Sequence, residues 1–297
     1  MNIMEKLAAR IRAMKNPTVA GLDTRIEYLP ERFVGEIMPG GIRSFEDAAE
    51  AIYQYNVRLI DALCDMVPSV KVQIAYYEAL GLDGMLAYKS TLEYLRREGL
   101  VAIADIKRGD IAKTAEMYAK AHLDGEFEAD FVTLAPYMGL DSITPYTKYM
   151  TEKGKGVFVL CRTSNPGAKD FEYKKLEDGR HVYDLVGDKL SAMGKDYMGA
   201  HGYSSLGLVI GGTHIEEAKE IRAKYRDSFF LIPGYGAQGG TAEDIAQYLA
   251  QGNGGVVNSS RSVLLAYKKQ PGTAYAEAAY NECVHMKEAI ADACSKL

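Results

Sequence analysis

The sequence predicts an α/β fold, a (β/α)8 barrel (TIM barrel) formed as one domain by residues 1–297, with an N-terminal helix and long loops after strands 1 and 5. Eight short apolar segments rich in Val, Ile, Leu and Phe recur along the chain, and segments with helical periodicity separate them. Alternating strands and helices favour a parallel sheet with right-handed crossovers, and eight such units favour closure into a barrel.

The predicted strands are nearly continuous apolar runs, which is typical of parallel strands buried on both faces. An open doubly wound sheet is the alternative architecture. One domain suffices, because single α/β barrels often exceed about 200 residues. The predicted strands lie at 18–23, 69–74, 100–107, 131–136, 156–163, 206–212, 229–234 and 254–260.

The predicted helices include a charged amphipathic segment at the N-terminus, and Thr241 is a plausible N-cap for one of the later helices. Two connections are long, 24–46 and 164–182, and both follow strands. They should therefore lie at the carboxyl ends of the strands, where barrels carry their chemistry. The helical segments are 1–16, 46–67, 85–99, 214–226 and 241–252.

Charge and composition exclude several classes of function. The formal net charge is −5 with 35 basic residues, so nucleic-acid and anionic-membrane partners are not expected. No apolar run is long enough to span a membrane and no secretory signal is recognisable, which predicts a cytoplasmic protein. The four cysteines are widely spaced, which favours structural thiols over redox or metal sites, and no metal is predicted: Cys64, Cys161, Cys283 and Cys294.

Charged residues concentrate near the carboxyl ends of the first three predicted strands. Strand 1 ends in Asp23, strand 2 carries Lys71 and Gln73, and strand 3 carries Asp105 and Lys107. Buried charges are costly unless they are paired. Residues two apart on a strand share a face, so Asp105 and Lys107 should lie side by side, as should Lys71 and Gln73.

Asp110 extends this pattern, and Gly109 before it permits a turn out of the strand. Ordinary ion pairs capping a barrel layer are one interpretation. The other is a functional Lys-Asp-Lys-Asp array, in which neighbouring carboxylates keep the lysines cationic. A cationic Lys107 would be a poor Schiff-base nucleophile but a good charge stabiliser and proton donor, which argues against aldolase chemistry.

A candidate phosphate site lies at the last two strands. The glycine-rich segment 233–240 follows strand 7 and leads to a helix near Thr241, while strand 8 ends at 259–262. Loops after strands 7 and 8 form the common barrel phosphate site. Arg261 can bind two phosphate oxygens, and Gln238 can donate a further hydrogen bond. A simple glycine-rich turn is the alternative.

Four motifs together resemble the orotidine 5′-phosphate decarboxylase family. They are VAIADIKRGDIAKTAEMYA, preceded by VKVQIAYYEALG and followed by PGYGAQGG and NSSRS. The resemblance runs in the same order over about residues 18–265, and TSNPGAKDFEYKKLEDG is similar to the extended loop of the longer bacterial branch. It implies the barrel fold, no cofactor, and decarboxylation of orotidine 5′-monophosphate in pyrimidine biosynthesis.

The resemblance also implies roles for individual residues. Asp23 falls on the ribose-binding aspartate, and Lys71 on the lysine that holds both the array and the ribose. Asp105 matches the carboxylate beside the substrate carboxylate, and Lys107 matches the proton donor. Asp110 belongs to the same catalytic set.

Asp110, Ile111 and Thr114 match residues that the family donates across a homodimer interface into the partner's active site. Gln238 and Arg261 match the phosphate ligands. The position before this arginine, where the family often has Gly, is Ser260 in this chain. The family's pyrimidine-binding serine falls on Thr163 or Ser164.

Two rival functions remain open at the level of sequence. Sugar-phosphate decarboxylases and hexulose-phosphate synthases resemble this family in fold and share an Asp-x-Lys-x-x-Asp motif, but they use Mg²⁺. A barrel that binds a phosphorylated ligand without chemistry is the other rival. The complete charged array, including Lys71, favours the pyrimidine decarboxylase.

Overall fold

A computed structural model describes residues 2–212, 215–236 and 239–297, and its central feature is a closed barrel of parallel strands. Each strand pairs with its neighbour in sequence, and β1 pairs with β8 to close the barrel. The (β/α)8 prediction is therefore confirmed, and the open sheet is wrong. The strands are β1 Thr18–Leu22, β2 Ser69–Gln73, β3 Val101–Arg108, β4 Phe131–Leu134, β5 Gly156–Arg162, β6 Leu206–Ile210, β7 Phe230–Pro233 and β8 Gly255–Ser259.

Helices surround this barrel, and short 3₁₀ segments occur at Ile26–Tyr28, Leu140–Ser142, Lys195–Tyr197 and Ala266–Lys269. The α-helices are α1 Ile3–Met14, α2 Glu31–Ile37, α3 Phe45–Leu63, α4 Ala75–Glu78, α5 Gly81–Arg97, α6 Ala112–Leu123, α7 Thr144–Glu152, α8 Ala168–Phe171, α9 Val182–Gly194, α10 Ile215–Lys224, α11 Ala242–Ala246, α12 Arg261–Leu264 and α13 Tyr275–Ser295. Of the helices in the described ranges, none is both long and apolar enough to cross a lipid bilayer.

The core has two layers. One packs the outward faces of the strands against the helices. The other fills the barrel interior with side chains such as Phe131 and Phe158, whose ring centroids lie 4.9 Å apart. Gly156 makes room for this layer, because a Cβ there would lie 2.2 Å from the Phe131 ring. The inner layer fills one end of the barrel and leaves the carboxyl ends of the strands for the site.

The N-terminal helix α1 covers the filled end of the barrel. Its apolar face buries Leu7 and Ile11 against the inner layer of the core. Asn2 and Glu5 form a capping box, in which each side chain accepts a hydrogen bond from the other residue's backbone N–H. The predicted N-terminal helix is thus confirmed, and the structure shows that it covers the amino ends of the strands.

The two long connections are confirmed in their predicted positions. The connection after β1 contains the 3₁₀ turn Ile26–Tyr28 and α2, and the one after β5 contains α8. Thr241 caps α11 as predicted, since its hydroxyl oxygen accepts a hydrogen bond from the backbone N–H of Asp244. However, α11 and α12 are short, with five and four residues.

Candidate active site

A cavity of about 530 Å³ opens at the carboxyl ends of the barrel strands. Its volume lies within the usual range for small-molecule sites. Polar residues from β1–β3 form one side, and apolar residues from β5–β7 form part of the other. Its lining comprises Asp23, Tyr28, Lys71, Gln73, Tyr76, Asp105, Lys107, Thr133, Leu160, Thr163, Ser164, Asn165, Val209, Leu231, Pro233, Gly234, Tyr235, Asn258, Ser260 and Arg261.

Asp105 is the centre of the charged array. Its Oδ2 lies 2.9 Å from Lys71 Nζ and 3.0 Å from Gln73 Nε2, and its Oδ1 lies 2.5 Å from Lys107 Nζ. Lys71 Nζ also lies 3.1 Å from Asp23 Oδ1. The predicted neighbours on β2 and β3 therefore meet on a single carboxylate.

Burial and charge pairing act in opposite directions on this array. Burial lowers the pKa of the Lys71 ammonium, but the carboxylates of Asp105 and Asp23 outweigh burial, so its pKa lies above the ordinary value. Burial raises the pKa of the Asp105 carboxyl, but Lys71 and Lys107 outweigh it, so that pKa lies below the ordinary value. Asp105 and Lys71 are therefore both charged at neutral pH.

An irregular stretch of β3 brings Lys107 to this position. Between paired residues β3 advances from Ala104 to Arg108, while β4 advances only from Val132 to Leu134. Lys107 adopts a left-handed conformation with φ of 45°. Such strain in a non-glycine residue is maintained only where surrounding contacts enforce it, and it is common at functional sites. The sequence analysis predicted that regular strand alternation places Lys107 beside Asp105. The irregular stretch of β3 does so instead.

The turn out of β3 also differs from the prediction. Lys107 and Ala112 take the positive φ values in this region, and Gly109 does not. Instead Gly109 lies against the β4 end, where a Cβ would sit 3.2 Å from Ala135 Cβ. The glycine therefore permits a close approach between two strand ends.

Thr133 on β4 is a site residue that the sequence reasoning missed. Its hydroxyl donates to Asp105 Oδ1 at 2.8 Å and accepts from the backbone N–H groups of Ile106 and Lys107, each at 2.9 Å. A polar residue within the apolar predicted strand 131–136 was the available signal. The sequence reasoning also missed Asn258 on β8, a polar residue that lines the cavity and lies within the predicted strand 254–260.

Part of the predicted phosphate site lies at the carboxyl end of β8. Ser260 and Arg261 both line the cavity, and they follow β8, which is three strands away from β3 through its pairing with β1. A Cβ on Gly21 would lie 2.0 Å from Ser260 Oγ, so glycine at that position makes room for the serine. Gln238 lies outside the described residues. Gly234 and Gly236 have φ of 109° and 69°, as a tight glycine-dependent loop requires.

Thr163 and Ser164 both line the cavity at the end of β5. Glu172 in the following loop accepts two hydrogen bonds from Thr163, from its backbone N–H at 2.8 Å and its hydroxyl at 2.7 Å. The Thr163 hydroxyl also lies 2.7 Å from Asn165 Oδ1. Thr163 is thus committed to the fold of its own loop.

Asp110, Ile111 and Thr114 are not among the residues that line the cavity of their own chain. They lie where β3 gives way to α6, and the Asp110 side chain accepts a hydrogen bond from the Ile111 backbone N–H at 2.8 Å. Ile111 is 48% exposed although it is apolar, and Thr114 is exposed. These three predicted residues therefore lie outside the cavity that Lys107 lines in the same chain.

The arrangement can bind an anion and stabilise developing negative charge. Lys107 combines a fixed carboxylate partner with a side chain that is 47% exposed towards the cavity and solvent. Arg261 supplies a second cation for a phosphate group. Within the part of the chain that the structure describes, no three His, Cys, Asp or Glu side chains form a cluster that could hold a metal ion.

Comparison with known proteins agrees with this geometry. The sequence profile of the orotidine 5'-phosphate decarboxylase / HUMPS family matches residues 44–278. A curated protein named orotidine 5'-phosphate decarboxylase from Clostridium perfringens (strain SM101 / Type A) is 54% identical over 296 residues, which cover 99% of this chain and 100% of the relative. A protein of the same name from Clostridium acetobutylicum is 56% identical over 272 residues, covering 92% and 91%.

A solved structure extends the likeness to the whole fold. The structure of Leishmania donovani OMP decarboxylase superposes with a TM-score of 0.73 at 27% identity, covering 97% of this chain and all of that one. The resemblance first drawn from the sequence motifs is therefore confirmed by sequence and by fold. The chain belongs to the orotidine 5′-phosphate decarboxylase / HUMPS family.

Proposed function

We propose that this chain decarboxylates orotidine 5′-monophosphate to uridine 5′-monophosphate, a step of pyrimidine biosynthesis. The observation that supports this most is the array in which Asp105 contacts both Lys71 and Lys107 in one cavity with Arg261. The same cavity therefore contains a lysine suited to stabilise an anion and an arginine suited to bind a phosphate. The family to which the chain belongs and the names of its curated relatives support the same reaction.

The reaction breaks the bond between C6 of the pyrimidine and its carboxylate. The bonding electron pair stays on C6, carbon dioxide leaves, and a proton then adds to C6. The carbanion formed at C6 has no obvious delocalising group, so its stabilisation must be electrostatic. Lys107 Nζ offsets this negative charge, then transfers its proton to C6 and is reprotonated from solvent.

Asp105 serves two purposes in this proposal. It fixes the Lys107 ammonium, with 2.5 Å between Oδ1 and Nζ. It also lies where the substrate carboxylate would approach, and repulsion between the two carboxylates would favour departure of carbon dioxide. A module that only bound the nucleotide would gain nothing from an anion at that position.

One ion pair does not account for the whole rate enhancement. At about 4 Å and an effective dielectric constant near 20, a charge pair contributes about 4 kcal/mol, or roughly a thousandfold in rate. Binding energy from the remote phosphate must supply more, by holding the ring against Lys107. Arg261 is the described residue best suited to that role, with Ser260 beside it and Gln238 predicted to assist.

The remaining cavity residues fit the sugar and base. Asp23 and Lys71 are proposed to bind ribose hydroxyls, since both side chains line the cavity and pair with each other at 3.1 Å. Thr163 and Ser164 both line the cavity, and one of them is proposed to contact the pyrimidine.

The active enzyme is proposed to be a homodimer with active sites at its interface. Asp110, Ile111 and Thr114 lie outside their own cavity, and exposed apolar side chains such as Met117 and Tyr137 occur in the same region of the chain. In this proposal the three residues complete the partner's site. The single-domain organisation, cytoplasmic location and lack of a cofactor stay predictions.

The test is an ultraviolet assay of purified protein with orotidine 5′-monophosphate in buffer containing EDTA. We expect the absorbance of the substrate to decrease and uridine 5′-monophosphate to appear in stoichiometric amount. The sugar-phosphate rivals use Mg²⁺, so EDTA separates them from the proposed reaction. Unchanged absorbance with folded, dimeric protein would overturn the proposed function.

A further inference from the structure

Thr133 occupies a position in which one hydroxyl makes three hydrogen bonds. It lies on β4 and is only 1% exposed, yet it borders the cavity. A hydroxyl has one proton to donate and two lone pairs to accept with. The amides of Ile106 and Lys107 can only donate, so they occupy the lone pairs, and the hydroxyl proton must be directed to Asp105 Oδ1.

These bonds replace part of the ordinary strand pairing. The three residues 105–107 lie between the β3 positions that pair with Val132 and Leu134, so Thr133 alone faces them. The two amides cannot follow the regular ladder in this irregular stretch, and buried backbone donors must find an acceptor. The Thr133 hydroxyl is that acceptor for Ile106 and Lys107.

The same contacts bear directly on the reacting lysine. The Lys107 backbone is held in its left-handed conformation, with φ of 45°, while its Nζ reaches back 2.5 Å to Asp105 Oδ1. The Thr133 hydroxyl therefore hydrogen-bonds both to the backbone N–H of Lys107 and to the Asp105 oxygen that accepts from Lys107 Nζ.

We infer that Thr133 is a positioning residue, whose hydroxyl fixes the β3 irregularity and the Asp105 carboxylate so that the Lys107 ammonium meets C6 of the pyrimidine. This inference rests on the proposed decarboxylation. Thr133 acts through Asp105 and Lys107, and Arg261 at the phosphate end is not among its hydrogen-bond partners. Its removal should therefore slow turnover far more than it weakens nucleotide binding.

The experiment compares Thr133→Val, which removes the hydroxyl at nearly constant volume, with Thr133→Ser, which retains it. Thr18→Val is the matched control, because Thr18 is a fully buried strand residue whose hydroxyl has no hydrogen-bond partner among the described residues. For each protein, kcat, KM, the Kd of uridine 5′-monophosphate and Tm are measured.

We expect Thr133→Val to lower kcat by between about tenfold and a hundredfold, since a misplacement near 1 Å has effects of this size. The nucleotide Kd should change less than about threefold, because the phosphate end supplies most of the affinity. Thr133→Ser and Thr18→Val should keep kcat within about threefold of the wild type, because neither removes a positioning hydrogen bond.

A Thr133→Val enzyme with wild-type kcat would overturn the inference, as would equal losses of kcat and nucleotide affinity, or a serine variant as slow as valine. If the valine variant does not fold, Thr133→Ala carries the same outcomes. A crystal structure of the variant gives a readout independent of activity. An unchanged distance between Lys107 Nζ and Asp105 overturns the inference even if the wild type has another substrate, whereas an inactive wild type overturns only the proposed function.

Discussion

At the scale of single residues, the site depends on how one carboxylate is shared. Asp105 is buried, and its carboxylate accepts hydrogen bonds from the side chains of Lys71, Gln73, Lys107 and Thr133. A carboxylate accepts through about four lone-pair directions, so these donors satisfy it. A substrate carboxylate arriving beside it meets an anion that cannot readily take up a proton. Lys107 is the donor with an exposed side chain, which leaves it accessible to the substrate.

The first residue-scale prediction concerns Lys107→Ala. We expect kcat to fall at least about a thousandfold, because the variant loses both charge stabilisation and the proton donor. Binding of uridine 5′-monophosphate should remain measurable by calorimetry, since Arg261 is unchanged. Retained turnover in this variant would remove Lys107 from the mechanism.

Lys155→Ala provides the matched control. Lys155 is likewise held by a carboxylate, with 2.8 Å between its Nζ and Glu128 Oε1, although its side chain is more buried than that of Lys107. It immediately precedes β5 at the amino end of that strand, remote from the cavity. We expect its kcat to match that of the wild type, so a shared loss would indicate a general effect of removing a paired lysine.

At the scale of elements, the two ends of the barrel have different roles, one in stability and the other in chemistry. Helix α1 closes the amino ends of the strands, and the cavity opens at the carboxyl ends. Leu7 on α1 is fully buried among the inner-layer side chains. Because this layer lies between α1 and the site, a small defect under α1 should reduce stability without moving the array.

Leu7→Ala tests this separation. We expect the free energy of unfolding to fall by about 2–5 kcal/mol, the usual range for a buried leucine truncation. The kcat measured well below the transition temperature should stay at the wild-type value. Urea denaturation followed by circular dichroism gives the first quantity. A large fall in kcat with little change in stability would contradict the division between the two ends.

The elements also show how far sequence reasoning reaches. The eight strands were predictable, because continuous apolar runs and alternating helices are local patterns. The left-handed Lys107 was not, since it depends on a hydroxyl of β4 that is distant in sequence. The shortness of α11 and α12 also escaped prediction, because the helical pattern at 241–252 continues beyond the end of α11. Asp105, Lys71 and Arg261 were identified from their strand-end positions and the family motifs.

At the scale of the whole molecule, the proposed mechanism includes a second copy of the chain. Lys107 lines its own cavity, whereas Asp110 lies beyond that cavity at the start of α6. If Asp110 acts across a dimer interface, a complete site combines Lys107 of one copy with Asp110 of the other. A single chain would then hold every element of the barrel and still lack a functional site.

The most direct test is a heterodimer of one Lys107→Ala chain and one Asp110→Ala chain, purified through two different affinity tags. Each variant homodimer should be nearly inactive. The heterodimer contains one site with both an intact Lys107 and an intact Asp110 from the other copy, so we predict half of the wild-type kcat per dimer. Activity as low as that of the two parents would contradict the shared site and the division of roles between Lys107 and Asp110.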